Sequence, residues 1–136
     1  MKPSRRVLIV DDAEHAATML EVALLPITGL SVTVTASAQE ALQVLDSGEN
    51  VSAIVTDLNM PDMDGFELIA RVRARGRAGC VPIVVISADT DPRTPERVAR
   101  LGVDAFFSKP YSPIEVRHKL EQLLNAIPVS SSNPVS

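Results

Sequence analysis

Short apolar runs alternate with helical patterns along the chain, and this alternation predicts an α/β fold. The five runs are Val7–Val10, Val32–Thr35, Ala53–Thr56, Ile83–Ile86 and Ala105–Phe107. Each is rich in valine and isoleucine or is aromatic, and most are apolar throughout rather than at every second position. Strands have this composition when helices cover both faces of their sheet. The runs therefore predict five buried strands of a parallel sheet.

The segments between these runs show helical periodicity and end signals, and they predict five helices. A proline ends the first, and capping residues open most of the others. For the fourth helix, Thr94 is a better start than Asp91, because an earlier start would leave Pro95 without its helical hydrogen bond. The predicted helices are Glu14–Leu25, Ala38–Leu45, a third that opens at Asp64, a short fourth from Thr94 to Gly102, and a fifth from Ser112 to about Ala126.

Apolar positions within three of these helices predict which faces pack against the sheet. Residues three or four positions apart lie on the same face of a helix. The predicted inward positions are Ala16, Met19, Leu20, Ala23 and Leu24 in the first helix, Phe66, Ile69 and Val72 in the third, and Val116, Leu120, Leu123 and Leu124 in the last.

Five strands that alternate with five helices imply a three-layer α/β/α fold, a doubly wound parallel sheet with right-handed crossovers. The pattern itself does not give the strand order. The flavodoxin-like order 2-1-3-4-5 is one of the common solutions, and we adopt it because it places the ends of strands 1 and 3 side by side. We assign residues 1–126 to one domain, and residues 127–136, which are rich in Ser, Pro and Asn, to a flexible C-terminal tail.

Composition and charge narrow the classes of function. The net charge is −4 and only 3% of the residues are aromatic, which argues against a nucleic-acid-binding surface. A single cysteine, Cys80, excludes an internal disulfide and is typical of the reducing cytosol. The apolar segment near the N-terminus is too short for a signal peptide, and no run approaches the ~18 apolar residues of a membrane span. We therefore expect a cytoplasmic protein that binds neither nucleic acid nor membrane.

Polar side chains follow four of the predicted strands at their carboxyl ends. The pair Asp11-Asp12 follows the first strand, Asp57 closes the third, Ser87 ends the fourth run, and Lys109 follows the fifth. In an open parallel sheet, functional groups gather outside the carboxyl ends of the strands. We therefore expect three carboxylates, one hydroxyl and one ammonium group to meet at this edge.

The chemistry of such a cluster favours a divalent cation and a phosphoryl group. Three neighbouring carboxylates repel each other and stay ionised only if a cation neutralises them. The chain offers no His-rich or Cys-rich cluster for zinc, whereas an all-oxygen site suits Mg²⁺. With Mg²⁺ and Lys109, the charges of the three carboxylates sum to about zero, so the pocket could accept a phosphoryl group. Asp57 is the best-placed nucleophile, because Asp11 and Asp12 form a pair suited to holding the metal.

In this combination the chain resembles the receiver domain of two-component response regulators, and its length is similar to that of the single-domain chemotaxis type. The resemblance extends from about Arg5 to Leu124. Each motif alone is weakly specific, but the set is strong because each member ends its own strand and the order is preserved. The motifs are Asp11-Asp12, Asp57 with Met60-Pro-Asp-Met-Asp-Gly65, Ser87-Ala88 and Lys109-Pro110.

The resemblance implies a role for each matching residue in the acidic cluster. Asp57 would accept a phosphoryl group from a histidine kinase or a histidine phosphotransfer protein. Asp11 and Asp12 would hold Mg²⁺, with Asp57 and the backbone carbonyl of Asn59 as further ligands. Lys109 would pair with Asp57 and later with the phosphoryl oxygens.

The resemblance also implies a switch and an output surface. Ser87 would move toward the phosphoryl group, and Phe106 would turn inward as it does so. Asn59 and Asp89 match positions that tune hydrolysis of the acyl phosphate, and the peptide bond before Pro110 would be cis. The face built from the fourth helix, fifth strand and fifth helix would then regulate a partner protein or form a phosphorylation-dependent homodimer.

Other functions remain open at this point. A phosphohydrolase of the haloacid-dehalogenase kind also uses a strand-end aspartate, Mg²⁺, a hydroxyl and a lysine, but it usually needs a second acid where this chain has Asn59. A receiver fold used as an unphosphorylated adaptor normally lacks one of the acidic or lysine positions, and all are present here. A nucleotide-binding domain is disfavoured because no glycine-rich loop follows the first strand. The leading hypothesis is a signalling phosphoacceptor rather than an enzyme.

Overall fold

The computed structural model describes residues 5–60 and 63–126, and within them five strands alternate with five α-helices. All ten predicted elements are present; a short 3₁₀ helix at Gly76–Gly79 was not predicted. The proposed tail at 127–136 lies outside the described residues. No helix in the described ranges is long and apolar enough to span a bilayer. The elements are β1 Arg5–Val10, α1 Glu14–Leu24, β2 Leu30–Thr35, α2 Ala38–Asp46, β3 Ala53–Asp57, α3 Gly65–Arg73, β4 Ile83–Ser87, α4 Thr94–Arg100, β5 Ala105–Ser108 and α5 Pro113–Ala126.

The strands form one parallel sheet in the order β2-β1-β3-β4-β5, which confirms the flavodoxin-like prediction. The register sets the level at which each strand ends. Val10 pairs with Thr56, so the next residues, Asp11 just after β1 and Asp57 at the end of β3, lie side by side. Ser87 pairs with Ser108 at the ends of β4 and β5, immediately before the predicted lysine. The candidate side chains therefore reach one edge because of the register.

Two hydrophobic cores lie on opposite faces of the sheet, which explains why most of the strands carry apolar residues at consecutive positions. Alternate residues of each strand point to opposite faces. Leu8, Val10, Ile54 and Val85 pack beneath α2, α3 and α4. Their neighbours along the strands, with Val7, Ile9, Val55 and Ile86 among them, pack beneath α1 and α5.

The predicted inward face of α1 is wrong at Met19, whose side chain is 51% exposed. The helix instead buries Ala17, Leu20 and Leu24. Because α1 has more apolar residues than one packing stripe needs, periodicity alone did not select the buried set. In α5 the predicted face is correct for Val116, Leu120 and Leu124, while Leu123 is only partly buried.

The predicted face of α3 is buried at Ile69 and Val72, with Leu68 in addition. Phe66 is only partly buried, because its ring faces α4 as well as the core. The guanidinium carbon of Arg97 lies 3.9 Å from the centroid of this ring. Such a cation–π contact links α3 to α4 on the outside of the domain.

Gly65 allows α3 to begin against the loop that follows β3. A Cβ atom at this position would lie 2.5 Å from the carbonyl oxygen of Asp57 and 2.7 Å from the Cα of Leu58. These are backbone atoms that no side-chain rotation can move. The Gly65 amide also donates to the Leu58 carbonyl at 2.9 Å, which holds the two segments in register. The glycine thus allows α3 to pack closely against the loop that follows Asp57.

Gly65→Ala is expected to lower the free energy of unfolding by about 1–3 kcal/mol, because the methyl group must push two backbone segments apart. Urea denaturation followed by circular dichroism measures the change. Gln43→Ala, on the exposed side of α2, is the control and should lie within about 0.5 kcal/mol of the original protein. Superimposable unfolding curves for Gly65→Ala and the original protein would contradict the close backbone contact.

Candidate functional site

The register of the strands brings the three predicted carboxylates together. One oxygen from each of Asp11, Asp12 and Asp57 lies within 4.8 Å of the others. Asp11 and Asp57 are only 2% and 4% exposed, whereas Asp12 is exposed. The predicted convergence of these acidic side chains is therefore confirmed.

Asp11 carries the least satisfied group of the site. Its Oδ1 atom accepts a hydrogen bond from the amide of Ala13 at 2.9 Å, but its buried Oδ2 atom has no partner within the described part of the chain. Burial raises the pKa of this carboxyl group, and the charges of Asp57 and Asp12 raise it further, against the opposing effects of Ala13 and Lys109. An unpaired, buried anionic oxygen is where a bound cation would be most favourable.

Asp57 is held through both of its carboxylate oxygens. Oδ2 accepts a hydrogen bond from the Lys109 ammonium at 2.7 Å, and Oδ1 accepts one from the backbone amide of Asn59 at 3.0 Å. Burial by itself lowers the pKa of Lys109, but the hydrogen bond to Asp57 and the charges of Asp57 and Asp11 outweigh it, so the pKa is raised. The lysine consequently keeps its positive charge beside the acidic cluster.

Two backbone features set the position of Lys109. Its amide donates to the Ser87 carbonyl at 2.8 Å, which extends the β4–β5 pairing by one residue. The Lys109–Pro110 peptide bond is cis, the isomer that the resemblance implies.

Tyr111, which follows Pro110, is partly buried. Burial raises the pKa of its hydroxyl, and the nearby charge of Asp11 raises it further. The sequence analysis did not include Tyr111 among the residues near the acidic cluster.

Ser87 is fully buried at the end of β4, the strand that pairs with β3. Its Oγ atom accepts a hydrogen bond from the Asp89 amide at 2.9 Å, and the side-chain amide of Asn59 lies 3.5 Å away. Phe106 is partly buried on β5, and it lines a cavity of about 280 Å³ together with the loop that follows Ser87. The hydroxyl thus reaches the predicted edge of the sheet, although it is bonded to its own loop.

A contact between Asp89 and Thr94 was missed by sequence reasoning. The Thr94 hydroxyl, at the first residue of α4, donates to Asp89 Oδ2 at 3.0 Å and is completely buried. The start of α4 at Thr94 is correctly predicted, but its side chain does not cap the helix. The sequence did contain a signal for this contact. Thr94 stands at the predicted start of α4, only five residues after Asp89, so the hydroxyl and the carboxylate could reach each other.

The donor set fits a hard divalent cation. Asp11, Asp12 and Asp57 carry three negative charges and Lys109 one positive charge, which leaves about two negative charges to be neutralised. All three acidic ligands are oxygen donors, and the unpaired Oδ2 atom of Asp11 faces no competing protein donor in the described ranges. Mg²⁺ binds through a few carboxylates and keeps several waters, so these residues suit it.

Comparisons with known proteins agree with this arrangement. Residues 7–121 match the family model of the response regulator receiver domain. The two-component response regulator ORR3 of Oryza sativa subsp. indica is 35% identical over 115 residues, which cover 85% of this chain and 87% of the relative. A chemotaxis protein CheY homolog of Campylobacter jejuni is 29% identical over 119 residues, which cover 88% of this chain and 92% of the relative.

The fold is similar to solved structures as well. The chemotaxis response regulator CheY4 of Vibrio cholerae superposes with a TM-score of 0.76 at 28% identity, and the match covers 88% of this chain and 98% of that one. The receiver domain of the Francisella response regulator 1452 superposes with a TM-score of 0.79 at 25% identity, covering 90% of this chain and 98% of that domain.

Proposed function

Because the chain belongs to the response regulator receiver domain family, we propose that Asp57 accepts a phosphoryl group from a histidine kinase or a histidine phosphotransfer protein. The observation that carries this proposal is the geometry of Asp57. Its carboxylate is held between the Lys109 ammonium at 2.7 Å and the backbone amide of Asn59 at 3.0 Å, next to the carboxylates of Asp11 and Asp12. Receiver domains of this family are signalling phosphoacceptors, and we infer the same role here.

In the transfer step, a carboxylate oxygen of Asp57 attacks phosphorus while the bond between phosphorus and the donor imidazole breaks. The bonding electron pair stays on the imidazole nitrogen, and the product is an acyl phosphate. Lys109, already 2.7 Å from Asp57, is placed to pair with the phosphoryl oxygens as they arrive. Positioning and charge neutralisation therefore carry the reaction, because the side chains are fixed before it begins.

Asp11 and Asp12, with Asp57 and the backbone carbonyl of Asn59, are the residues that would hold Mg²⁺. When bound, the cation supplies positive charge that offsets the negative charge on the phosphoryl oxygens. The unpaired Oδ2 atom of Asp11 supports this assignment, because a ligand oxygen that points at a cation needs no protein donor.

Phosphorylation would be transmitted through Ser87 and Phe106. It adds about two negative charges and new acceptor oxygens at Asp57, toward which the Ser87 hydroxyl can turn. Phe106 borders a cavity of about 280 Å³, which gives its ring room to move. The α4-β5-α5 face would then change shape and regulate a downstream protein or form a homodimer.

The remaining assignments follow from this role. Asn59 and Asp89 lie beside Ser87 and would tune hydrolysis of the acyl phosphate. We propose a cytoplasmic protein that acts on protein partners and neither contacts nucleic acid nor binds a membrane.

A haloacid-dehalogenase-like phosphohydrolase is not favoured, because Asn59 stands where the second acid would be needed. An unphosphorylated adaptor is not favoured either, because the acidic and lysine positions are all present.

Incubation with acetyl phosphate and Mg²⁺ tests the proposal. We expect the intact mass to rise by one phosphoryl group, and peptide mapping to place the group on the peptide that contains Asp57. Chelation of Mg²⁺ with EDTA should prevent the mass change, because the acidic cluster then lacks its counter-charge. A protein that remains unmodified with Mg²⁺ present, or that carries the group on another peptide, would overturn the assignment.

A further inference from the structure

The loop between β4 and α4 is held by a regular series of side-chain-to-backbone hydrogen bonds. At every second residue, a side-chain oxygen accepts a bond from the amide two positions later. Ser87 Oγ accepts from the Asp89 amide at 2.9 Å, Asp89 Oδ1 from the Asp91 amide at 2.8 Å, and Asp91 Oδ1 from the Arg93 amide at 2.9 Å. The series begins at the buried hydroxyl of the proposed site and ends at the start of α4.

Asp89 is the central member of this series because both of its oxygens are used. While Oδ1 accepts from the loop, Oδ2 accepts from the Thr94 hydroxyl at 3.0 Å. Thr94 is completely buried, so water does not compete for this hydrogen bond. Thr94, the first residue of α4, is thereby linked to Asp89, and the backbone amide of Asp89 is in turn bonded to the Ser87 hydroxyl.

This arrangement holds the Ser87 hydroxyl against its own loop. If Ser87 is to turn toward a phosphoryl group on Asp57, it must leave the Asp89 amide or carry the loop with it. The loop has room to shift, because it borders the cavity of about 280 Å³ shared with Phe106. The bond between Thr94 and Asp89 opposes such a shift, because it joins the loop to the helix.

We propose that Thr94 is a positioning residue whose hydrogen bond to Asp89 stabilises the resting loop and so limits the fraction of molecules in which Ser87 can reach the phosphoryl group. This inference rests on the proposed function of Asp57. A ligand that binds only a minor conformation has an apparent affinity reduced by the population of that conformation. Removal of the Thr94 hydroxyl should therefore increase the affinity for a phosphoryl mimic.

The test uses Thr94→Val, which removes the hydroxyl with little change in volume, and beryllofluoride as the mimic of the phosphoryl group in the presence of Mg²⁺. We expect beryllofluoride to bind roughly threefold to tenfold more tightly than to the original protein, the range that one hydrogen bond supplies. Affinity for Mg²⁺ alone should be unchanged, because Thr94 does not belong to the acidic cluster. A variant that was merely destabilised would not show this separation of the two affinities.

Two matched variants accompany this measurement. Thr94→Ser restores the hydroxyl and should return to the original affinity. Thr90→Val makes the same substitution at an exposed threonine of the same loop, whose hydroxyl has no hydrogen-bond partner in the described ranges, and should have no effect. Thr94→Ala is measured as a second hydroxyl-free variant, so that the result does not depend on one substitution.

Failure of the inference and failure of the proposed function give different results. If the original protein does not bind beryllofluoride, the assignment of Asp57 is wrong. If it binds, but Thr94→Val and Thr94→Ala bind equally well or more weakly, the role proposed for Thr94 is overturned. Tighter binding by both hydroxyl-free variants and original affinity in Thr94→Ser would support it.

Discussion

Asp57→Ala is expected to abolish phosphoryl uptake from acetyl phosphate. Among the three clustered carboxylates, Asp57 is the one that accepts a hydrogen bond from Lys109 in the described ranges, at 2.7 Å. Asp11 is buried beside two other acids and its pKa is raised, which opposes the ionised form that a nucleophile needs. Neither Asp11 nor Asp12 should therefore take over the reaction, and the intact mass of the variant should not change.

The controls for this experiment separate chemistry from folding. Asp46→Ala removes an exposed carboxylate that pairs with Arg75, far from the acidic cluster, and should be phosphorylated as fast as the original protein. Asp57→Ala should keep its circular dichroism spectrum, because removal of one of three neighbouring carboxylates relieves repulsion even though Lys109 loses its partner. A phosphorylated Asp57→Ala protein would show that another residue is the acceptor.

Asp11→Asn is expected to stabilise the fold without Mg²⁺ and to remove most of the stabilisation that Mg²⁺ provides. The substitution replaces the unpaired, buried Oδ2 atom by an amide that can donate to neighbouring carboxylates, while Oδ1 can still accept from Ala13. We expect a gain of roughly 1–2 kcal/mol at neutral pH, the usual cost of a buried group without a partner. Loss of one charged ligand should weaken Mg²⁺ binding by at least the roughly 10–100-fold that loss of an outer-shell partner costs.

The effect of Asp11→Asn should depend on pH with a definite sign. The folded-state pKa of Asp11 is raised above its usual value of 3.8, so its carboxyl group contributes stability at pH values below 3.8 and loses that contribution as pH rises through the folded-state pKa. The stability difference between variant and original protein should be near zero at about pH 3 and grow toward about pH 7.

Thermal unfolding over this pH range, with and without Mg²⁺, measures both effects. Binding of Mg²⁺ to the native state alone raises the melting temperature of the original protein. Asp12→Asn is the matched control, because its exposed carboxylate should contribute to Mg²⁺ binding but cost little stability when the cation is absent. A melting temperature of Asp11→Asn that rises with Mg²⁺ as strongly as that of the original protein would contradict the role of Asp11 as a ligand.

The fold and the acidic cluster could be predicted from sequence because local and global signals agree. Uninterrupted apolar runs identify buried parallel strands, and such strands end at a common edge, so Asp11, Asp57 and Lys109 could be placed together without coordinates. Strand order was the step that the pattern did not supply. It was chosen from the common solutions, partly because it brought the carboxylates together.

Other features depend on packing that no periodic pattern encodes. Met19 is apolar and helical, yet α1 turns it outward because Ala17 and Leu20 face the sheet. The bond between Thr94 and Asp89 depends on the path of an irregular loop, whose dihedral angles are set by several side-chain contacts at once. The close approach at Gly65 likewise becomes visible only when the loop after Asp57 is placed against α3.

The small buried surface of α4 has a consequence for how the domain can respond to a change at the sheet edge. The helix has seven residues and buries only Thr94 and Val98, so little apolar surface is exposed when it moves. A change at the sheet edge can therefore be relayed by a movement of this short helix that disturbs the hydrophobic core mainly around Val98. A domain of ordinary marginal stability can in this way change its outer shape many times without approaching denaturation.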